Sequence, residues 1–120
     1  MLTQMPLSCP GVVELSGYRI TCNAAKNIEN SKNVFTLPGG NWVIRSRREG
    51  DCIRLSGGTK TLRKLFIDRK IPVSQRLGVP IIADDAGVAA VYGIGVHLDR
   101  AAKELPAWRI AIEKISGEGE

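Results

Sequence analysis

The sequence has little of what builds metal centres, disulfide frameworks or stacking surfaces. Its 120 residues include one His and three Cys, and Phe, Trp and Tyr together make up 5%. Cys9, Cys22 and Cys52 are odd in number, widely spaced and never form a CxxC pair, while His97 is the only imidazole. Neither a zinc site nor a disulfide framework is therefore expected, and the three thiols are read as reduced and partly buried. No apolar run approaches the roughly 18 to 20 residues of a membrane span. The opening MLTQMPLSCP has no charged segment followed by a long apolar one, so the chain is expected in the cytoplasm with no membrane partner. With few aromatics, the core must come from Val, Ile, Leu and Ala, which are plentiful from Val12 to Ile115. A chain of this length forms one domain that buries roughly 60 to 70% of its unfolded surface.

Acid is also short, with 12 Asp and Glu against 17 Lys and Arg, a formal net charge of +5. The imbalance is local. Residues 44–76 carry ten bases, namely Arg45, Arg47, Arg48, Arg54, Lys60, Arg63, Lys64, Arg69, Lys70 and Arg76, against three acids, Glu49, Asp51 and Asp68. The rest of the chain is slightly acidic. Such asymmetry points to a polyanion, although a basic cluster is also commonly just a solvated face.

The pattern of the chain predicts many short strands and one helix. Val12–Leu15 and Tyr18–Cys22 flank Ser16-Gly17, which suits a tight hairpin turn. Asn23–Asn33 is polar and aperiodic, hence a loop. Further strands are expected at Val34–Leu37, Trp42–Ser46, Cys52–Leu55, Val79–Ala83, Val88–Tyr92 and Gly95–Leu98, with Trp108, Ile110 and Ile112 alternating in a last one. Ser116–Glu120 is expected to fray. The helix spans about 59–68: Leu62, Leu65 and Phe66 recur at helical spacing, Thr59 can cap the first turn, and Pro72 stops it. Its opposite arc carries Lys60, Arg63 and Lys64.

Three cations in a first helical turn face the positive end of the macrodipole, at about 0.3 to 1 kcal/mol each, and repel one another at i,i+3 and i,i+4. An anion there would reverse both penalties, and Gly57-Gly58 just ahead would let a phosphate approach the backbone. Other glycine motifs fail their tests. In SGGTKT, Thr59 separates Gly58 from Lys60, so no Walker A motif is present, and Lys60 stands where an SGGxDS loop carries its acid. GIGVHL has two of the three glycines of a dinucleotide loop and leads into no helix, and Asp84-Asp85-Ala86-Gly87 reads as a turn between strands rather than a metal pair. No catalytic constellation is visible around His97.

Trp42–Val96, WVIRSRREGDCIRLSGGTKTLRKLFIDRKIPVSQRLGVPIIADDAGVAAVYGIGV, resembles the C-terminal module of bacterial tRNA(Ile)-lysidine synthetases. The specific pieces are the Arg-rich strand into Gly50-Asp51, the helix TKTLRKLFID, the Lys70-Ile71-Pro72 stop, Arg76, and Pro80, Asp85, Gly87 and Gly93. The resemblance implies an α+β fold: a small β-rich sandwich of short strands with one short helix. It implies a single module, with 1–40 a variable hairpin and loop region, 41–98 the family core and 99–120 a last strand and tail. It implies that the chemistry, ATP-dependent adenylation of a wobble cytidine followed by attack of free lysine, belongs to an N-terminal catalytic domain absent here. This chain would then hold no cofactor, metal or catalytic residue. Its partners would be that domain and the acceptor-stem side of an isoleucine tRNA, with a homodimer left open. Carried over by position, Arg45, Arg47, Arg48, Lys60, Arg63, Lys64, Lys70 and Arg76 are tRNA-binding, with Gly57 and Gly58 as the phosphate-approach turn. Thr61 stands where many members have Lys, and Val73 where Arg is common. The competing reading is a docking module whose basic face meets a protein and not RNA.

Overall fold

A computed structural model of the chain describes residues 2–115. The expected fraying at Ser116–Glu120 lies outside the described residues. Two antiparallel sheets and a third layer make up the fold. The first sheet has the order β1-β5-β8-β9-β10, formed by Met5–Pro6, Val43–Arg45, Ile81–Asp84, Gly87–Val91 and Gly95–Val96. The second, β2-β3-β11-β4, is formed by Gly11–Leu15, Tyr18–Ala24, Trp108–Lys114 and Val34–Leu37. The third layer is the hairpin β6 (Cys52–Leu55) and β7 (Gly58–Thr61) with the helix α1 (Leu62–Asp68).

The first sheet is apolar on both faces because it is the middle layer. Ile44, Ile82, Ala89, Ala90 and Val96 pack toward the second sheet, in one cluster with Ile20, Phe35, Leu37, Trp42, Ile110 and Ile112. Ile81, Ala83, Val88 and Val91 pack the other way, with Ile53, Leu62, Leu65 and Phe66 of the third layer. Alternate residues of β8 thus serve different cores, and a sheet covered on both sides reads as a near-continuous apolar run, here Val79–Ala83 and Val88–Val91. A bulge in the β8–β9 pairing between Ile82 and Ala83 lets Ala89 and Ala90 both join the first cluster.

Most expected strands are present within one or two residues of the expected bounds. The Ser16-Gly17 turn has both residues at positive φ, 52° and 84°, as a two-residue hairpin turn of the primed type requires. The polar 23–33 loop is tied back through Thr36, whose hydroxyl accepts from the Glu29 N–H at 2.9 Å and donates to the Glu29 carbonyl at 2.7 Å.

Four expectations change. Thr59 and Lys60 lie in β7, not in a helix, so α1 begins at Leu62 and its cap is Thr61, whose hydroxyl accepts from the Lys64 N–H at 3.1 Å. The apolar spacing of Leu62, Leu65 and Phe66 is equally served by the shorter helix, while Thr59–Thr61 pair with Arg54–Cys52 across the hairpin. A second short helix, α2 (Val73–Arg76), follows Pro72. β1 was unforeseen because two residues carry no period. Finally, Cys9 and Cys22 are joined as a disulfide and only Cys52 is free and exposed. The β2–β3 register sets Gly11 opposite Cys22, which brings Cys9 within a Cα–Cα distance of 5.3 Å.

α1 ends in a Schellman motif: the Lys70 N–H bonds the Ile67 carbonyl and the Ile71 N–H bonds that of Phe66, with Lys70 left-handed at φ 57°. Glycine is the usual residue at that position. Lys70→Gly should therefore raise unfolding free energy by about 0.5 to 1 kcal/mol, whereas Phe66→Ala, emptying a fully buried site, should lower it by about 3 to 5 kcal/mol. Urea titrations of both variants check these values.

Candidate nucleic-acid interface

The basic stretch is organised by one acid. Between β5 and β6 the chain turns through residues 46–51, and Asp51 closes the turn. Arg45 Nη1 and Nη2 donate to the two Asp51 carboxylate oxygens at 2.7 and 3.1 Å, with side chains 6% and 10% exposed. The same carboxylate accepts the Arg48 N–H at 2.8 Å, and the Asp51 carbonyl accepts the N–H of Leu62, the first residue of α1, at 2.9 Å. A helix's first N–H groups have no partner within the helix, so Asp51 ties the loop to the sheet and to α1 together.

The eight basic residues assigned from the sequence separate into groups. Arg45 faces inward and is fully engaged, bonding the Ser46 carbonyl at 3.0 Å as well as Asp51. Arg76 is half-buried, its Nε donating to the Ile71 carbonyl at 2.9 Å, which holds α2 against the end of α1. Arg47 and Arg63 are brought together: they line one cleft of about 350 Å³ with Thr61, Glu49, Gly50 and Asp51. Arg47 Nε is buried and has no hydrogen-bond partner among the described residues. Arg48 is exposed and bonds the Gln4 side chain. Lys60 is exposed on β7, one residue before the Thr61 cap. Lys64 is exposed on α1 and 3.8 Å from Asp68. Lys70 stands at the far end of α1, about 10 Å along a seven-residue helix.

Gly57 and Gly58 lie at the tip of the β6–β7 hairpin and not at the start of the helix. The three steps from Gly58 to Thr61 separate the turn from α1 by about 10 Å. Both glycines face open space, so nothing in the chain blocks backbone approach there, but the turn and the helix do not form one cradle. With Lys60 on a strand, the cations in the first turn of α1 are Arg63 and Lys64, and that turn itself carries no acid.

Sequence reading missed Asp51 as the organiser, since a Gly50-Asp51 pair looks like an ordinary turn. It also missed two pairings that spend charge elsewhere, Arg54 with Asp99 at 2.6 Å and Arg100 with Asp84. Asp84 opens the turn Asp84–Gly87 that joins β8 to β9, as expected, and its carboxylate also accepts the Ala86 N–H. The Arg100 guanidinium holds that carboxyl below its usual range and lies 5.4 Å from the Trp42 ring. His97, half-buried, is pushed below the usual imidazole value by desolvation.

Fold and surface together define a small, β-rich class of domain with its exposed cations on one loop, one hairpin and one helix. The chain belongs to the family of TilS substrate C-terminal domains, which matches residues 43–112. It is 39% identical over 82 residues to a tRNA(Ile)-lysidine synthase of Clostridioides difficile, covering 67% of this chain and 18% of that protein. A tRNA(Ile)-lysidine synthase of Streptococcus sanguinis is 29% identical over 113 residues, 92% of this chain and 27% of that one. The chain thus spans about a fifth to a quarter of these curated relatives. A crystal structure of a TilS C-terminal domain superposes with a TM-score of 0.83 at 23% identity, over 98% of this chain and 100% of that one, and shows the same fold.

Two outcomes follow. Asp51→Ala leaves Arg45 buried and unpaired and should lower unfolding free energy by about 3 to 5 kcal/mol, read from urea titration. Because the folded Asp84 carboxyl lies below its unfolded value, the Arg100 pair stabilises the fold above about pH 4 and is lost as pH falls through the folded value. The stability gap between the natural chain and Asp84→Asn should therefore be constant near neutrality and close below about pH 4.

Proposed function

We propose that this domain is the tRNA-gripping appendage of a tRNA(Ile)-lysidine synthase. It holds the phosphate backbone on the acceptor-stem side of an isoleucine tRNA, in the cytoplasm, so that a separate ATP- and lysine-using catalytic domain reaches the wobble cytidine. The observation that carries this reading is the cleft of about 350 Å³ that Arg47 and Arg63 line together, with exposed Arg48 and Lys60 next in the chain to its residues Arg47 and Thr61. Two guanidinium groups on one cleft repel each other, and an anion bound between them replaces that repulsion with charge-assisted hydrogen bonds. Arg48, Lys60, Lys64 and Lys70 extend the contact as point charges along a strand of phosphates. Recognition is by backbone and shape, since the chain offers no exposed row of aromatics for base stacking. Arg45 and Arg76 act from beneath, by holding the loop and α2 in place.

A second reading, docking on the catalytic domain, is favoured by one observation: Val73 and Leu77 of the α2 segment are 75% and 40% exposed. The two readings need not exclude each other, because α2 and the Arg47–Arg63 cleft are different surfaces.

Fluorescence anisotropy of the chain with an isoleucine tRNA and an acceptor-stem hairpin tests the first. With four or five phosphates engaged, log affinity should fall against log salt with a slope of about −3 to −4.5. Arg47→Ala/Arg63→Ala should weaken binding at least about tenfold and flatten the slope by about 1.4 to 1.8, while Arg54→Ala, whose partner is Asp99, should leave both near the parent values. Salt-independent binding, or no binding alongside tight capture of the catalytic domain, would replace this reading with the docking one.

A further inference from the structure

The Cys9–Cys22 disulfide closes a sequence separation of 13 residues, but most of that loop is already closed without it. The β2–β3 hairpin pairs Gly11 with Cys22. The crosslink therefore adds little to the hairpin, and its constraint falls on the residues ahead of it.

Those residues form a strap over the end of β5. β1 meets β5 through two residue pairs only, Met5 with Ile44 and Pro6 with Val43. The Leu7 N–H donates to the Trp42 carbonyl at 2.9 Å and the Leu2 N–H to Ser46 Oγ at 2.7 Å, while Gln4 takes the Arg48 guanidinium. Leu2 and Leu7 are buried, at 6% and 7% exposure. At the other end the strap is folded tightly: a Cβ on Gly11 would lie 2.9 Å from the Ser8 carbonyl oxygen, so the backbone passes too close for any side chain there. The strap thus runs from the disulfide to Ser46 and Arg48, the two residues that flank Arg47.

We propose that Cys9 and Cys22 form a redox-sensitive clasp that sets how firmly this strap, and through it the 46–48 turn, is held. A dithiol reductant opens it by exchange. A thiolate attacks the sulfur of Cys9, which is half-buried, rather than that of fully buried Cys22. The S–S bond breaks, a mixed disulfide forms on Cys9, and Cys22 leaves as a thiolate and takes a proton. The reductant's second thiol then attacks the mixed disulfide, releasing Cys9 as a thiol and leaving the reductant as a cyclic disulfide, with two electrons transferred. Exchange with an oxidised disulfide runs the same steps backward. When the clasp is open, the strap keeps two strand pairs and two leucines, and Gln4 releases Arg48 more often. The clasp stands independently of what the basic turn binds.

The experiment uses the full chain carrying Cys52→Ser, which removes the free exposed thiol from the count. Alkylation followed by intact mass, after oxidised glutathione and then after dithiothreitol, counts thiols, and amide hydrogen exchange by NMR reads the strap. Expected are no free thiols when oxidised and two when reduced. Exchange at Leu2 and Leu7 should be on the order of tenfold faster on reduction, with Ile82, Ala90 and Ile110, which do not pair with the strap, unchanged. Cys9→Ser should match the reduced chain in either buffer. Two free thiols under oxidant would overturn the clasp, as would unchanged exchange at Leu2 and Leu7. Acceleration spread equally through the middle sheet would also overturn it, since the bond would then be a general staple.

Discussion

The Arg45–Asp51 pair is the constraint on which the basic surface depends. Two ionised groups this far from water are not stabilising through Coulomb attraction alone, because their desolvation offsets it, and such pairs act mainly by fixing geometry. Here the geometry is fixed in several directions by a single side chain and its backbone. The carboxylate holds β5 through Arg45 and the turn through the Arg48 N–H, and the carbonyl holds α1 through Leu62. Arg47 and Arg63 are 16 residues apart in sequence, and this knot, together with the β6–β7 pairing of Cys52 with Thr61, brings them to one cleft. Arg45, expected from the sequence as another phosphate contact, has its guanidinium bonded to Asp51 and the Ser46 carbonyl, and so fixes the turn that carries its neighbours.

The layered core explains how so few aromatics suffice. A single sheet of small and β-branched residues is covered on both faces, so β5, β8 and β9 each contribute to both clusters. Ala89 and Ala90 occupy the cluster that also holds Phe35 and Trp42, whereas Phe66 is the large residue of the other. The third layer joins the rest mainly through side chains, with backbone bonds at Leu62 to Asp51 and Leu98 to Arg54. The cations are mounted on this layer and on the turn beside it, with the apolar sides of β6 and α1 turned inward.

Strand positions were legible because period-two patterning and turn residues act locally, as in the hairpin at Ser16-Gly17. The helix start was not. Thr59 and Thr61 are equally good caps by composition, and what decides between them is the pairing of Thr61 with Cys52 across the hairpin, a tertiary fact. Free and engaged cations were likewise indistinguishable by sequence: Arg45 and Arg76 differ from Arg47 and Arg63 only in what lies opposite them once folded. The disulfide was misread because Cys9 and Cys22 have no motif spacing, and their meeting follows from a hairpin register combined with a backbone that doubles back at Gly11. The family pattern, by contrast, was readable from Trp42 to Val96, where the residues of the turn, the helix and the double-faced sheet lie close together.

The second sheet has the order β2-β3-β11-β4, with β11 paired to β3 along residues 108–114 and to β4 along residues 108–111. A strand made late in the chain therefore occupies an interior place between strands made early. As the chain emerges from the ribosome, β3 and β4 have no shared neighbour and cannot pair with each other in the final order, and the apolar face of Ile20, Phe35 and Leu37 has only part of its cover. β11 must slide in between two strands that precede it, so the second sheet closes in one concerted step, after the β2–β3 hairpin and the first sheet have what they need to form.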